Sequence, residues 1–248
     1  MRIILSPAKK MKELPDILAY RNLPVFLEQT GEILDWLKSK TREELKKLWA
    51  CNDRIVEQNA ERLAHMDLRR NLTPAVLSYE GIAYQYMAPA VFEAGQIEYI
   101  QERLRILSAF YGVLRPMDGV TPYRLEMQAR ASIGGHKDLY AMWGKRLYEE
   151  VRDESGIILN LASKEYFKCI EAWLSPGDRF ITPVFCEDSG GKLVTKGTYA
   201  KMARGEMVRF MAENRIEEPW EIQKFDRLGY KFRKELSSDT NYIFERIK

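Results

Sequence analysis

The sequence predicts an α/β protein with mixed α+β character: one compact domain over residues 1–248, with a central mixed sheet and peripheral helices. Three short Ile/Leu-rich runs carry most of this: IILS (3–6), RILS (105–108) and GIILNLAS (156–163). Each ends in serine and leads into a loop bearing a cation: Lys9, Arg115 and Lys164. Helical segments separate the runs by more than a crossover needs, the pattern of parallel strands opening their carboxyl ends on a shared crevice. Two later stretches carry hairpin signals, which add antiparallel pairs to the sheet.

Taken in order, Arg2 to Leu5 is a buried strand that breaks abruptly into Ser6-Pro7-Ala8-Lys9-Lys10. Residues 24 to about 67 read as helical, because Val25, Leu27, Ile33, Leu34 and Leu37 recur near helical spacing. Thr41 with Glu44 forms a capping box that starts a second helix, and a third covers Asp53 to His65. After Thr73-Pro74 the run Ala75-Val76-Leu77 reads as a strand, while Gly81 to Met87 is too short to type. A helix from Gln96 to Leu104 runs into the second apolar run. Asp138 opens one helix to about Val151, and Ser163 to Lys168 opens another, whose free backbone donors favour anions. Asp178–Cys186 and Lys192–Thr195 are strands joined across Ser189-Gly190-Gly191. Tyr199–Arg215 is the clearest helix, and Tyr230–Leu236 pairs with Asn241–Ile247 across residues 237–240.

Composition excludes several classes of protein. A chain with 46% hydrophobic and 30% charged residues is a globular one. It has no apolar run of spanning length and no leader with a cleavage site, so a cytoplasmic monomer without a membrane partner is expected. Cys51, Cys169 and Cys186 are widely spaced and odd in number, which argues for reduced thiols. His65 and His136 stand far apart, and no ligand spacing suggests a metal; neither a metal nor a cofactor is expected.

The net charge of +3 hides an uneven distribution. Residues 1–27 and 103–130 each carry net +3, and residues 192–215 carry net +4. If these segments converge they form one positive surface; if not, each is an ordinary solvated face. The stretch 103–127 sets Arg103, Arg105, Arg115 and Arg124 among Phe110, Tyr111 and Tyr123, with Gly and Pro breaking the backbone. Arginine forks suit phosphate or carboxylate, although the same residues could pair with neighbouring acids in a buried turn. In the helix at 199–215, Lys201, Arg204 and Arg215 share one side with Arg209 flanking, while Met202, Ala203, Met207, Phe210 and Met211 form a core stripe.

One reading of the crevice is enzymatic, on a nucleotide, nucleobase or nucleic acid. Ser6, Lys9, Ser108, Tyr111, Arg115, Ser163 and Lys164 would converge there, with Glu126, Asp138 or Glu165 as acid or base. No Walker loop, GxGxxG, GxSxG or HExxH dictates a chemistry.

The blocks SPAKKM (6–11), LSAFYGVLRPMD (107–118), PYRLEM (122–127), KDLYAMW (137–143), NLASKEYFK (160–168) and KMARGEMVRF (201–210) resemble the YaaA family of peroxide-stress-resistance proteins. The resemblance spans nearly the whole chain. It implies a cytosolic protein that limits oxidative damage to DNA by keeping free iron low. It also implies a mixed α/β fold peculiar to the family, with a positively charged cleft and a helix-hairpin-helix-like element that binds double-stranded DNA. On that expectation Lys9, Arg115, Arg124, Lys164, Lys168, Lys201, Arg204 and Arg209 would contact phosphates, and Tyr123 and Tyr166 would stack. Gly112 would let the hairpin at 111–113 approach the DNA backbone closely. An iron-sequestering protein is a third reading, but the scattered thiols and histidines make no ferrous site by themselves.

Overall fold

The computed structural model describes residues 1–247. The first strand, β1 (Arg2–Leu5), buries Ile3, Ile4 and Leu5 on both faces, which is why its apolar run shows no alternation. A short β2 (Lys10–Met11) follows the turn after it. Three helices come next: α1 (Leu27–Lys38), α2 (Arg42–Trp49) and α3 (Asp53–His65). The predicted capping box is present: the Glu44 N–H donates to the Thr41 hydroxyl, and the Thr41 N–H donates to the Glu44 carboxylate at 2.8 Å.

The segment after residue 72 differs from the sequence expectation. Thr73–Pro74 is itself β3, and Ala75-Val76-Leu77 belongs to a helical turn, α4 (Ala75–Ser78). All four residues of α4 are buried, so burial rather than sheet pairing explains their apolar character. The chain continues through β4 (Tyr79–Glu80), α5 (Ile82–Met87) and α6 (Ala94–Arg103). Then come β5 (Leu104–Ser108), β6 (Gly112–Leu114) and β7 (Gly119–Val120). The single helix expected over 138–151 is two, α7 (Leu139–Trp143) and α8 (Arg146–Val151). Gly144 separates them at φ 53° and ψ −136°, a conformation that side chains disfavour.

After β8 (Ile157–Leu161) and α9 (Lys164–Glu171), the first predicted hairpin forms from β9 (Arg179–Asp188) and β10 (Leu193–Val194). The long helix is α10 (Gly197–Asn214), and β11 (Tyr230–Phe232) with β12 (Asn241–Arg246) makes the second hairpin. The central sheet has eight strands in the order β11-β12-β9-β8-β1-β5-β6, with β10 added on β9. Strands β12, β9, β8, β1 and β5 run parallel; β11, β10 and β6 are antiparallel to their neighbours. Leu5 pairs with both Ile106 and Leu161, so β1, β5 and β8 end side by side. No helix among the described residues is long and apolar enough to cross a membrane.

One contact fixes the long helix against the sheet's carboxyl end. A Cβ on Gly205 would lie 1.8 Å from the Ala83 carbonyl oxygen, so α10 and α5 meet with no room for a side chain. Gly205→Ala should therefore force the helices apart and lower stability by about 3 kcal/mol, read as a fall in melting temperature. A variant that melts with the parent would contradict this close approach.

Candidate functional site

The ends of β1 and β8 meet in a polar knot. The Ser163 N–H donates to Ser6 Oγ at 2.8 Å, the Ser6 hydroxyl reaches Ser163 Oγ at 3.2 Å, and the Tyr84 hydroxyl donates to the Ser6 carbonyl at 3.0 Å. Above it opens a cavity of about 360 Å³. Five pieces of chain wall it: Leu5–Lys10, Glu80–Tyr84, Tyr123–Glu126, the stretch from Leu161 to Tyr166, and α10 at Lys201 and Arg204. This is the crevice at the carboxyl ends of parallel strands, where α/β folds place ligands.

Its charges are unevenly matched. Lys9, Lys10, Arg124, Lys201 and Arg204 face Glu80, Glu126 and Glu165. Glu126 holds Lys9 Nζ at 2.8 Å and an Arg124 nitrogen at 2.9 Å. Burial raises the pKa of Glu165; backbone N–H groups of Gln128 and Met127 pull it back, while the neighbouring Glu126 raises it further. Arg204 is different. It has no ion pair or hydrogen bond among the described residues, its Nε is sealed from water without a partner, and burial alone pulls its pKa down. Arg204 is half-buried, and desolvating part of a cation without a counter-charge is costly, so this guanidinium is poised for an anion. Lys201, three residues earlier on α10, is exposed and also without an ion pair among the described residues.

The structure sorts the residues expected from sequence into three groups. Ser6, Lys9, Tyr123, Arg124, Ser163, Tyr166, Lys201 and Arg204 all line the cavity. Tyr123 and Tyr166 do so as largely buried wall, and the Tyr123 ring is stacked on Phe110 with centroids 4.9 Å apart. The Tyr123 hydroxyl is bound to Ser108 Oγ at 2.7 Å and Tyr79 at 3.0 Å, and burial pushes its pKa to about 12. Lys164 and Lys168 lie on α9 beside the cavity. Lys164 is exposed, and Lys168 sits over the Tyr140 ring at 4.0 Å in a shallower hollow shared with Arg130 and Lys137.

The third group is elsewhere. Ser108, Tyr111 and Gly112 are buried in the β5–β6 turn, where Ser108 Oγ accepts from the Tyr111 N–H at 2.9 Å. Gly112 has φ 74°, and a Cβ there would meet the Phe26 and Trp143 rings at 2.8 Å. Its missing side chain therefore makes room for the core and not for a ligand. Because β6 runs back antiparallel to β5, Arg115 emerges at the opposite end of the sheet, with Glu150 at 3.4 Å. Arg209 is paired with Glu213 at 2.7 Å. Asp138 accepts from the Ala141 N–H at 2.8 Å and so caps α7.

The sequence reading missed Lys10, the Glu80–Tyr84 wall and the role of Gly205; a lone glycine inside an otherwise strong helical pattern was the available signal. Cys169 and Cys186 are buried thiols whose pKa burial raises, Cys169 to about 12, so neither is a ready thiolate. Among the described residues no group of three His, Cys, Asp or Glu side chains is placed to hold a metal.

Fold and cavity together define an α/β protein with a cation-rich pocket at the carboxyl ends of its central strands. The profile of the family described as peroxide stress protein YaaA matches residues 1–236, and the chain belongs to that family. Membership supports a role in peroxide stress. The chain is 67% identical to a UPF0246 protein of Agathobacter rectalis over 99% of both chains. It is 55% identical to one of Lachnoclostridium phytofermentans, over 98% of this chain and 96% of the other, and 47% identical to one of Limosilactobacillus reuteri over the full length of both.

The opposite end of the sheet carries a second buried charge. Asp118 accepts from the Arg115 N–H at 2.8 Å, yet its other oxygen has no partner. Burial raises its pKa from 3.8 to about 6, against the pull of that N–H and of Arg115 and Arg105. The folded chain thus holds this proton more tightly than the unfolded one, and the stability it contributes is full below pH 3.8 and lost as pH rises through about 6. Asp118→Asn keeps the acceptor and removes the charge. It should match the parent near pH 4 and exceed it by up to about 3 kcal/mol at pH 8 in urea unfolding; an equal or lower stability at pH 8 would contradict the assignment.

Proposed function

We propose that this chain is a cytosolic peroxide-stress protein that binds DNA through its phosphates, with the cavity cations as the contact set. The observation that carries the reading is Arg204: a half-buried guanidinium in a concave site, its Nε sealed and without a partner among the described residues. Lys201 and Lys10 extend the same charge to the rim, Lys9 lies there in its pair with Glu126, and Lys164 stands beside the cavity. The cavity is far narrower than a duplex. A strand's phosphates would therefore lie across the mouth, with one phosphate reaching Arg204. Contacts of this kind position the protein without reading sequence, and each releases counterions. Limiting iron-dependent damage then follows from contact with the DNA that is to be protected.

A second reading, an enzyme acting on a nucleotide, nucleobase or nucleic acid, is favoured by one observation. Glu165, a carboxyl of raised pKa, lines the same cavity as the Ser6–Ser163 pair.

Duplex binding followed by fluorescence anisotropy against salt tests the proposal. Lys201→Ala with Arg204→Ala should weaken binding about tenfold or more and lower the salt slope by about two. Arg115→Ala with Arg209→Ala, which removes two cations paired elsewhere, should stay within about twofold. Equal losses in the two variants, or a parent whose binding ignores salt, would reject the cavity as the contact site.

A further inference from the structure

The cavity has two polar ends of opposite character. Arg204 and Lys201 reach the cavity from α10 and have no ion pair among the described residues, whereas Glu165 comes from α9 and Glu126 from the 123–126 stretch, where it is paired with Lys9 and Arg124. The anion-seeking wall on α10 and the acceptor wall formed by Glu126 and Glu165 are thus built from different pieces of chain, with Glu80 on the rim. The remaining surface is largely apolar and aromatic, from Leu5, Ile82, Leu161, Tyr84 and Tyr166. A lone phosphate satisfies only the first wall and leaves most of the 360 Å³ empty. Pockets above about 300 Å³ hold organic ligands, with a few polar groups fixing their orientation.

We infer that the cavity takes one nucleoside monophosphate unit, with phosphate on Arg204 and Lys201 and the base edge turned to Glu126 and Glu165, and that it prefers bases carrying an amino group. This rests on the phosphate reading of Arg204 proposed above and adds the rest of the ligand. An ionised carboxylate only accepts, so it pairs with the exocyclic amine of cytosine or adenine. Uracil or hypoxanthine offers a single ring N–H, and its adjoining keto oxygen would bring an acceptor to an acceptor where the amine supplies two donors. Lys9 and Arg124 hold Glu126 in place, and the backbone of 127–128 does the same for Glu165. Both carboxylates are thereby anchored without exhausting their lone pairs. The unit can be a free nucleotide or an unpaired nucleotide of a strand, because both present the same phosphate and base edge.

Calorimetry with free CMP, UMP and inorganic phosphate on the full chain tests this, beside anisotropy with duplexes carrying one unpaired dC, one unpaired dT or none. Expected is a preference of about tenfold or more for CMP over UMP and over phosphate, or for the unpaired dC duplex over the other two. Preference with free CMP assigns the free nucleotide as sufficient; preference in the duplex arm alone assigns the strand. Arg204→Gln should weaken every phosphate-bearing probe, Lys201→Gln should do so more mildly should Arg204→Gln fail to fold, and Glu165→Gln should erase the cytosine preference. CMP no tighter than inorganic phosphate, with no gain from the unpaired dC, overturns the inference and leaves the phosphate reading standing. Binding of phosphate and duplex that ignores both Arg204→Gln and Lys201→Gln overturns the phosphate reading itself.

Discussion

The contact between Gly205 and the Ala83 carbonyl is the constraint on which the site depends. A helix laid this tightly on another has little freedom to slide or roll, because any side chain at the crossing would collide with backbone. Ala83 and Arg204 both line the cavity, so the crossing that locks α10 also delivers the guanidinium. The fold thus spends packing at one residue to hold its neighbour in an unfavourable setting. Such a cation is retained against its desolvation cost only because the surrounding structure over-determines its position.

That view changes how the chain's basic character is read. Many of its arginines and lysines are matched locally: Arg115 with Glu150, Arg209 with Glu213, Lys9 and Arg124 with Glu126. Matched charges of this sort leave little field behind, and the exposed pairs among them contribute little to stability. The cavity adds Arg204 and Lys201, two residues on one face of one helix that have no such match among the described residues. A net charge of +3 could not have located them.

The central strands were legible because each is buried on both faces, which writes an apolar run directly into the sequence. Serines marked where β1 and β8 stop, and the structure joins those two serines by hydrogen bonds. The second run misled for a physical reason. Its strand ends at Ser108, but the chain turns back at once through Gly112, so the next cation along the sequence, Arg115, travels to the far end of the sheet. Loop charge following a strand is a guide to a crevice only when the chain does not reverse. Ala75–Leu77 failed similarly, since a short run buried on all sides has the same composition as helix or strand. Gly205 stood out only as a lone glycine in a helical pattern; its role lies in what it faces, Ala83, more than a hundred residues earlier in the chain.

The central claim is that Arg204 is a half-buried, unmatched charge held for an anion, and thermal unfolding with and without phosphate addresses it most directly. Arg204→Met keeps an apolar stem and removes the charge. Without phosphate this variant should melt above the parent, since a partly desolvated cation without a counter-charge is gone. Phosphate should then raise the parent by several degrees and leave the variant unmoved. A parent indifferent to phosphate, together with a variant that melts lower, would mean that Arg204 is an ordinary structural residue and that the cavity is not an anion site.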